Sequence, residues 1–143
     1  MRRRSKLDFV FQGGKRRHIV IAPTAGNVVT NLSPAAGWRW QILHGLINLT
    51  CDATVANRTI RIRLTDGTTV SHQVGISGAT TASATRNLAV RSGYAANGGG
   101  TEGDLIAFGL LIIEGADQLR VLVDAGVAGD SYNGIITVLE AKA

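Results

Sequence analysis

At 143 residues, with 45% apolar and 17% charged side chains, this chain has the length and composition of one folded domain with a lightly charged surface. Its single cysteine, Cys51, excludes an internal disulfide, and no apolar run approaches the ~20 residues that cross a bilayer. The formal charge of +5 is unevenly spread: residues 1–17 carry seven cations against Asp8, a net of +6, and the remainder nets −1.

The first element in chain order is therefore a basic N-terminal arm over residues 1–17. Arg2, Arg3, Arg4 and Lys6 precede the strand-like segment Leu7-Asp8-Phe9-Val10-Phe11-Gln12, and Lys15, Arg16 and Arg17 follow it. An extended backbone points Leu7, Phe9 and Phe11 the same way. Apolar residues on a charged tail suit docking on a neighbouring subunit, for example as a strand added to an exposed sheet edge. The flanking cations suit an acidic partner, or nucleic acid bound non-specifically with strong salt dependence. The basic start lacks the apolar core and cleavage site of a secretory leader, so the protein is expected to stay where it is made.

The body reads as β throughout. Arg17 to Ala22 and Val28 to Leu32 are short candidates. Trp38 to Thr50 is a long apolar strand in which Trp38, Trp40 and Ile42 share one parity and Leu43, Ile47 and Leu49 the other. That switch near His44-Gly45 predicts a β-bulge or a strand buried on both faces. Thr59 to Asp66 alternates Ile60, Ile62 and Leu64 with Arg61, Arg63 and Thr65, an apolar face against a cationic one. Asp66-Gly67 then turns the chain into Thr68 to Val74, a hairpin. Gly75 to Asn87 reads as a loop with room for a short strand, Leu88 to Arg91 as a short strand, and Gly93 to Asp104 as a glycine-rich loop of a length that is more often functional or ordered by a partner than idle. Leu105 to Glu114 reads as a central strand, and Gln118 to Asp124 and Gly134 to Glu140 complete the set.

Eight or nine short strands with glycine-rich turns predict an all-β domain over residues 18–143. The expected architecture is an antiparallel β-sandwich, jelly-roll-like, carrying the extended basic N-terminal arm. The paired cysteines of an immunoglobulin-like sandwich are absent from the sequence.

Catalysis needs converging titratable groups, and His18, His44 and His72 are scattered along the chain. His44 lies in an apolar segment and reads as a packed side chain. Cys51 reads as a buried, inert thiol with no histidine placed to activate it. No P-loop, nucleophile elbow or zinc-ligand spacing occurs. Calcium would require several converging oxygens, for which Asp124, Asp130, Glu102 and Asp104 are the candidates. Asp punctuates turns elsewhere in the chain, at Asp66 and Asp117, and the same reading covers these. The expectation is a protein with no enzymatic activity, metal or cofactor.

Two segments carry a resemblance. Trp38-Arg39-Trp40-Gln41-Ile42-Leu43 followed by Asn48-Leu49-Thr50-Cys51-Asp52-Ala53-Thr54-Val55-Ala56-Asn57-Arg58-Thr59-Ile60-Arg61-Ile62 resembles small structural proteins of tailed phages and related viruses. In these, a strand ending in such a turn leads into an alternating strand. The stretch Gln118 to Asp130, with its last strand ending near Glu140, is similar to the closing strand pair of the same group. These are turn-and-strand signatures, not active-site signatures. The resemblance implies a β-sandwich virion component that packs against copies of itself or other shell proteins. The arm is similar to those of many viral shell proteins, which reach toward the genome or across to neighbours.

The expected function is that of a non-enzymatic virion structural protein: a capsid, decoration or vertex component made in the host cytoplasm. Its expected partners are further copies of itself, other virion proteins and, through the arm, nucleic acid, with no membrane. Arg61, Arg63, Tyr94 and Tyr132 are candidate interface residues. The alternative is a carbohydrate- or receptor-binding β-sandwich module of a tail or fibre, using Tyr94, Tyr132 and the loops Gly93–Asp104 and Gly126–Asn133. An aromatic content of 5%, with both Trp in one apolar strand, weighs against that alternative.

Overall fold

A computed structural model of the chain describes residues 13–75, 80–92, 104–108 and 112–143. All regular structure among them is β. The strands are β1 (Lys15–Ala25), β2 (Thr30–Leu32), β3 (Trp38–Thr50), β4 (Thr59–Thr65), β5 (Val70–Gly75), β6 (Thr85–Ser92), β7 (Asp104–Phe108), β8 (Ile112–Glu114), β9 (Gln118–Asp124) and β10 (Ser131–Lys142). They form two sheets. The larger runs β1-β10-β3-β6-β7, with β8 also paired to β3, and the smaller runs β2-β9-β4-β5. Every pairing is antiparallel except that of β6 with β7, which is parallel.

Alternation of side chains gives each sheet one inward face, and the two inward faces meet in a single core. Ile47, Leu49, Leu88 and Ile113 from the larger sheet and Ile60, Ile62, Leu119 and Val121 from the smaller are essentially without exposure. Each contributes about 1.5–3 kcal/mol by leaving water. The predicted alternation is observed from Thr59 to Leu64, where Ile60 and Ile62 point into the core and Arg61 and Arg63 point out, but Thr65, expected on the cationic face, is buried where the register with β5 shifts. The predicted hairpin follows it. Asp66 Oδ1 accepts the amides of Thr68 (2.8 Å) and Thr69 (2.7 Å), and Gly67 takes φ +97°. The amide bonds from Thr69 and Thr68 outweigh desolvation and hold the Asp66 carboxyl below its ordinary range.

Strand β3 is the spine of the larger sheet. One of its edges pairs with β10, and the other is shared between β8 at Arg39–Gln41 and β6 at His44–Thr50. The parity switch read in the sequence is a bulge. His44 faces Thr137 while Ile42 faces Val138, so Leu43 is the extra residue. The bulge lets Trp40 and Ile42 on one side, and Ile47 and Leu49 on the other, all reach the core.

One expectation is corrected. Leu105 to Glu114 does not make one central strand. Residues 104–108 form β7 at the outer edge of the sheet beside β6, whereas 112–114 form β8 against β3. A thirteen-residue β3 can accommodate two partners on one edge, and an unbroken apolar run carries no mark of which edge each half joins.

Deleting Leu43 should close the bulge into an unbroken ladder, with Ile42 opposite Val138 and His44 opposite Thr137 as before, so that Trp40, Ile42, Ile47 and Leu49 stay on the inward face and the fold survives. Leu43→Ala, which keeps the bulge, should be tolerated as well. Urea denaturation of the two variants compares them directly.

Candidate functional site

The most highly built polar cluster lies at one end of the sandwich, where the connections between strands meet. Arg58, just before β4, has no exposed side-chain surface. Its Nε donates to Asp130 Oδ2 (2.9 Å), its Nη2 to Asp52 Oδ1 (2.8 Å) and its Nη1 to the Ala56 carbonyl (3.1 Å). Asp130, also buried, accepts further from the amides of Asp52 (2.9 Å) and Val127 (2.9 Å). Main-chain bonds draw in the rest. Arg58 and Thr80 exchange two bonds (3.0 and 2.7 Å), Ser83 donates to the Asp52 carbonyl (2.7 Å), and Gly26 donates to that of Asp130 (2.9 Å). The β1–β2, β3–β4, β5–β6 and β9–β10 connections are thus tied to one guanidinium and its two carboxylates.

Local sequence prepares this knot. Asp52 accepts the amide and hydroxyl of Thr54 (2.9 and 3.1 Å), closing a turn that aims its other contacts at Arg58. Position 129 takes glycine because a Cβ there would come within 2.0 Å of the Asp52 carboxylate. Burial by itself would push the Asp130 carboxyl up, but the amides of Val127 and Asp52 and the Arg58 guanidinium hold it below the ordinary carboxylate range. Burial opposes the charge on Arg58 as well, and the hydrogen bond and charge of Asp130 overcome it, raising its pKa. Cys51, beside the cluster, has its thiol pushed up by burial and then by the Asp130 charge, which favours the protonated, unreactive form. The arrangement is that of a fastening. Its carboxylate oxygens are spent on the guanidinium and on amides, and no group of three His, Cys, Asp or Glu among the described residues could hold a metal ion.

The candidate contact residues are dispersed. Arg2, Arg3, Arg4, Lys6, Leu7, Phe9 and Phe11 of the arm, and Tyr94, lie outside the described residues. Lys15, Arg16 and Arg17 belong to β1, so the sheet takes in the last three cations of the predicted arm. Arg17 pairs with Glu140 (3.0 Å), which also accepts the Trp40 indole N–H (2.6 Å). Arg61 pairs with Asp124, and Arg63 Nε donates to Gln73 Oε1 (2.5 Å). Tyr132 is corrected: it is fully buried and cannot make an intermolecular contact. Its hydroxyl donates to the Val28 carbonyl (2.8 Å) and bonds the Thr30 hydroxyl (2.7 Å), and burial raises its pKa.

The two outward sheet faces differ in chemistry. The smaller sheet presents Arg120 and Arg63 side by side, flanked by Asn31 and Gln73, with Arg120 Nε bonded to Asn31 Oδ1 (2.9 Å). The larger sheet presents an apolar row instead. Val20 is paired with Ile135 and Ile135 with Leu46, and these side chains are 69%, 48% and 46% exposed. Around the row lie polar groups: His18 Nδ1 bonds the Thr137 hydroxyl (2.9 Å), and Asn48 Nδ2 donates to Asn133 Oδ1 (3.1 Å). A shallow groove beside the row is lined by Val20, Ala22, Pro23, Asn48, Asn133 and Ile135.

No family model, curated protein or solved structure matches this chain. Sequence reasoning reached the cationic strand but passed over the knot. Arg58 had a signal, being a charge set at the end of a turn of small and apolar residues, yet Asp130 read as turn punctuation. The apolar row had none, because its members come from three strands far apart in the chain.

Asp130→Asn leaves the buried Arg58 charge short of its main partner and should cost about 3–5 kcal/mol. Asp52→Asn, at a position open to water on one side, should cost less, and urea denaturation separates the two. Because the Asp130 pKa is depressed in the folded state, its contribution is full above the ordinary carboxylate value of about 4 and is lost as the pH falls through its lower folded value. The thermal midpoint should therefore drop steeply below about pH 4, and less steeply in Asp130→Asn.

Proposed function

We propose that this chain is a non-enzymatic structural protein of a viral particle, a jelly-roll subunit that associates with copies of itself and packs on other shell proteins. The observation that carries the reading is the apolar row Val20–Ile135–Leu46. Three large aliphatic side chains aligned across β1, β10 and β3 of one sheet, among polar neighbours, form a surface suited to protein contact rather than to water.

Strand order supports the jelly-roll part of the proposal. With β7 and β8 set aside, the pairs β1·β10, β2·β9, β3·β6 and β4·β5 nest inside one another, as in a long antiparallel ribbon rolled into two sheets. The fold by itself serves many functions, so it supports the architecture and not the role. The cations Arg2, Arg3, Arg4 and Lys6, continued by Lys15 and Arg16 at the start of β1, supply a positively charged end for a neighbouring subunit or nucleic acid. The cluster at Arg58 suits the same role, since it fixes the connections at one end of the subunit without leaving them free to adapt to small ligands. Trp40 and Tyr132 are buried, so neither is open for a carbohydrate to stack on, and Trp38 is 37% exposed.

The test is the solution mass of the full-length protein by light scattering across concentration. Assemblies larger than the 15.0 kDa monomer are expected. Leu46→Asp or Ile135→Asp should leave the circular dichroism spectrum intact and weaken association by more than about a hundredfold, since burying an unpaired carboxylate costs several kcal/mol. A monomer at every concentration would remove self-association from the proposal.

A further inference from the structure

The outward face of the smaller sheet carries a row of four polar side chains, one from each strand. Register sets Asn31 of β2 opposite Arg120 of β9, Arg120 opposite Arg63 of β4, and Arg63 opposite Gln73 of β5. Residues directly opposite on neighbouring strands hold their Cβ atoms about 4.5–5.5 Å apart, so like charges placed there repel. The centre of this row is such a pair.

Carboxylates do little to offset the repulsion. Among the described residues none forms an ion pair with Arg120. Arg63 reaches only Asp124, whose Oδ1 stands 3.9 Å from its Nη2 and whose Oδ2 is taken by Arg61. Three arginines thus share one carboxylate, which leaves two positive charges uncompensated.

The central pair spends its Nε–H groups on neutral amides instead. Arg120 donates to Asn31 Oδ1 (2.9 Å) and Arg63 to Gln73 Oε1 (2.5 Å). A guanidinium can only donate, so the amide oxygens must be the acceptors. What the row then offers to a ligand is donors: the Nη groups of both arginines and the NH2 groups of Asn31 and Gln73. Each arginine is anchored on the flank away from its fellow, and the Arg63 side chain is only 27% exposed. Less side-chain freedom is therefore lost when a ligand binds.

We propose that the Arg63–Arg120 pair binds a doubly charged tetrahedral oxyanion, a phosphate that is free or carried as a monoester. Charge decides the class. Two uncompensated cations match a dianion, whereas a carboxylate or a phosphodiester leaves one of them unmatched. Geometry agrees, since two guanidiniums can each give paired N–H groups to separate oxygens of one tetrahedral anion. The amides of Asn31 and Gln73 extend the donor set at either end. On an open sheet face the remaining oxygen can carry an ester substituent, so a phosphorylated partner fits as well as the free ion. The assignment does not rest on the virion reading.

Titration of the full-length protein with inorganic phosphate at pH 7 and constant ionic strength tests the site, with the arginine Nε–H resonances followed by NMR. Saturable shifts are expected, with a dissociation constant on the order of 1 mM. Arg63→Gln and Arg120→Gln should each weaken binding by about tenfold or more, the loss of a charge-assisted contact. Lys142→Gln removes one exposed cation from the larger sheet and should leave the affinity within about twofold. On the unsubstituted protein, the monoanions acetate and dimethyl phosphate should bind about tenfold more weakly than phosphate or not at all. Phosphoserine distinguishes the two sources: binding tighter than that of phosphate assigns the site to a phosphorylated partner, and weaker binding assigns it to the free ion. No saturable shift up to about 50 mM phosphate would overturn the proposal. So would an equal loss in Lys142→Gln, or acetate bound as tightly as phosphate.

Discussion

The loop end of this protein depends on one buried guanidinium. Arg58 cannot leave its charge unpaired in a site with no exposed surface, so Asp130 and Asp52 must be present and correctly aimed. Those carboxylates in turn fix the backbone of their own connections through the amides of Val127, Thr54 and Asp52. Buried ion pairs of this kind add little net stability beside a well-packed apolar cluster of the same size. What this one supplies is geometry: connections that come from opposite ends of the chain acquire fixed positions relative to each other.

That rigidity gives meaning to the surfaces. A sandwich whose sheets are locked by an apolar core and whose connections are locked by an ionic knot presents its outer faces with little freedom to adjust. One face offers paired arginines already engaged by Asn31, Gln73 and Asp124. The other offers an aliphatic row bordered by histidine, threonine and asparagine. The first face is held by its own side chains. The second buries nothing until something covers it, and this asymmetry motivates a role in packing rather than in chemistry.

Strand β3 shows how much a single inserted residue decides. Without the bulge, the thirteen residues of β3 would turn either Trp40 and Ile42 or Ile47 and Leu49 away from the core. With it, the same strand feeds the core on both sides of the bulge and offers one edge to two successive partners. The bulge also separates the part of the larger sheet backed by β6 from the part closed by β8.

The sequence by itself determined what depends on near neighbours in the chain. Alternation fixed β4 and its two faces, Asp66-Gly67 fixed the hairpin, the parity switch marked the bulge, and the extents of β3 and β9 followed from apolar runs bounded by turn residues. These are local consequences of a period of two and of glycine and aspartate at turns. Tertiary structure alone decided the rest. It divided residues 105–114 between two edges, sent the hydroxyl of Tyr132 inward to Val28 and Thr30, and brought Arg58 to Asp130 across 72 positions. It also set Val20, Leu46 and Ile135 in one row. The physical reason is common to all four: an edge, a buried partner or a surface row exists only once strands distant in sequence have been laid side by side, and no local period records that choice.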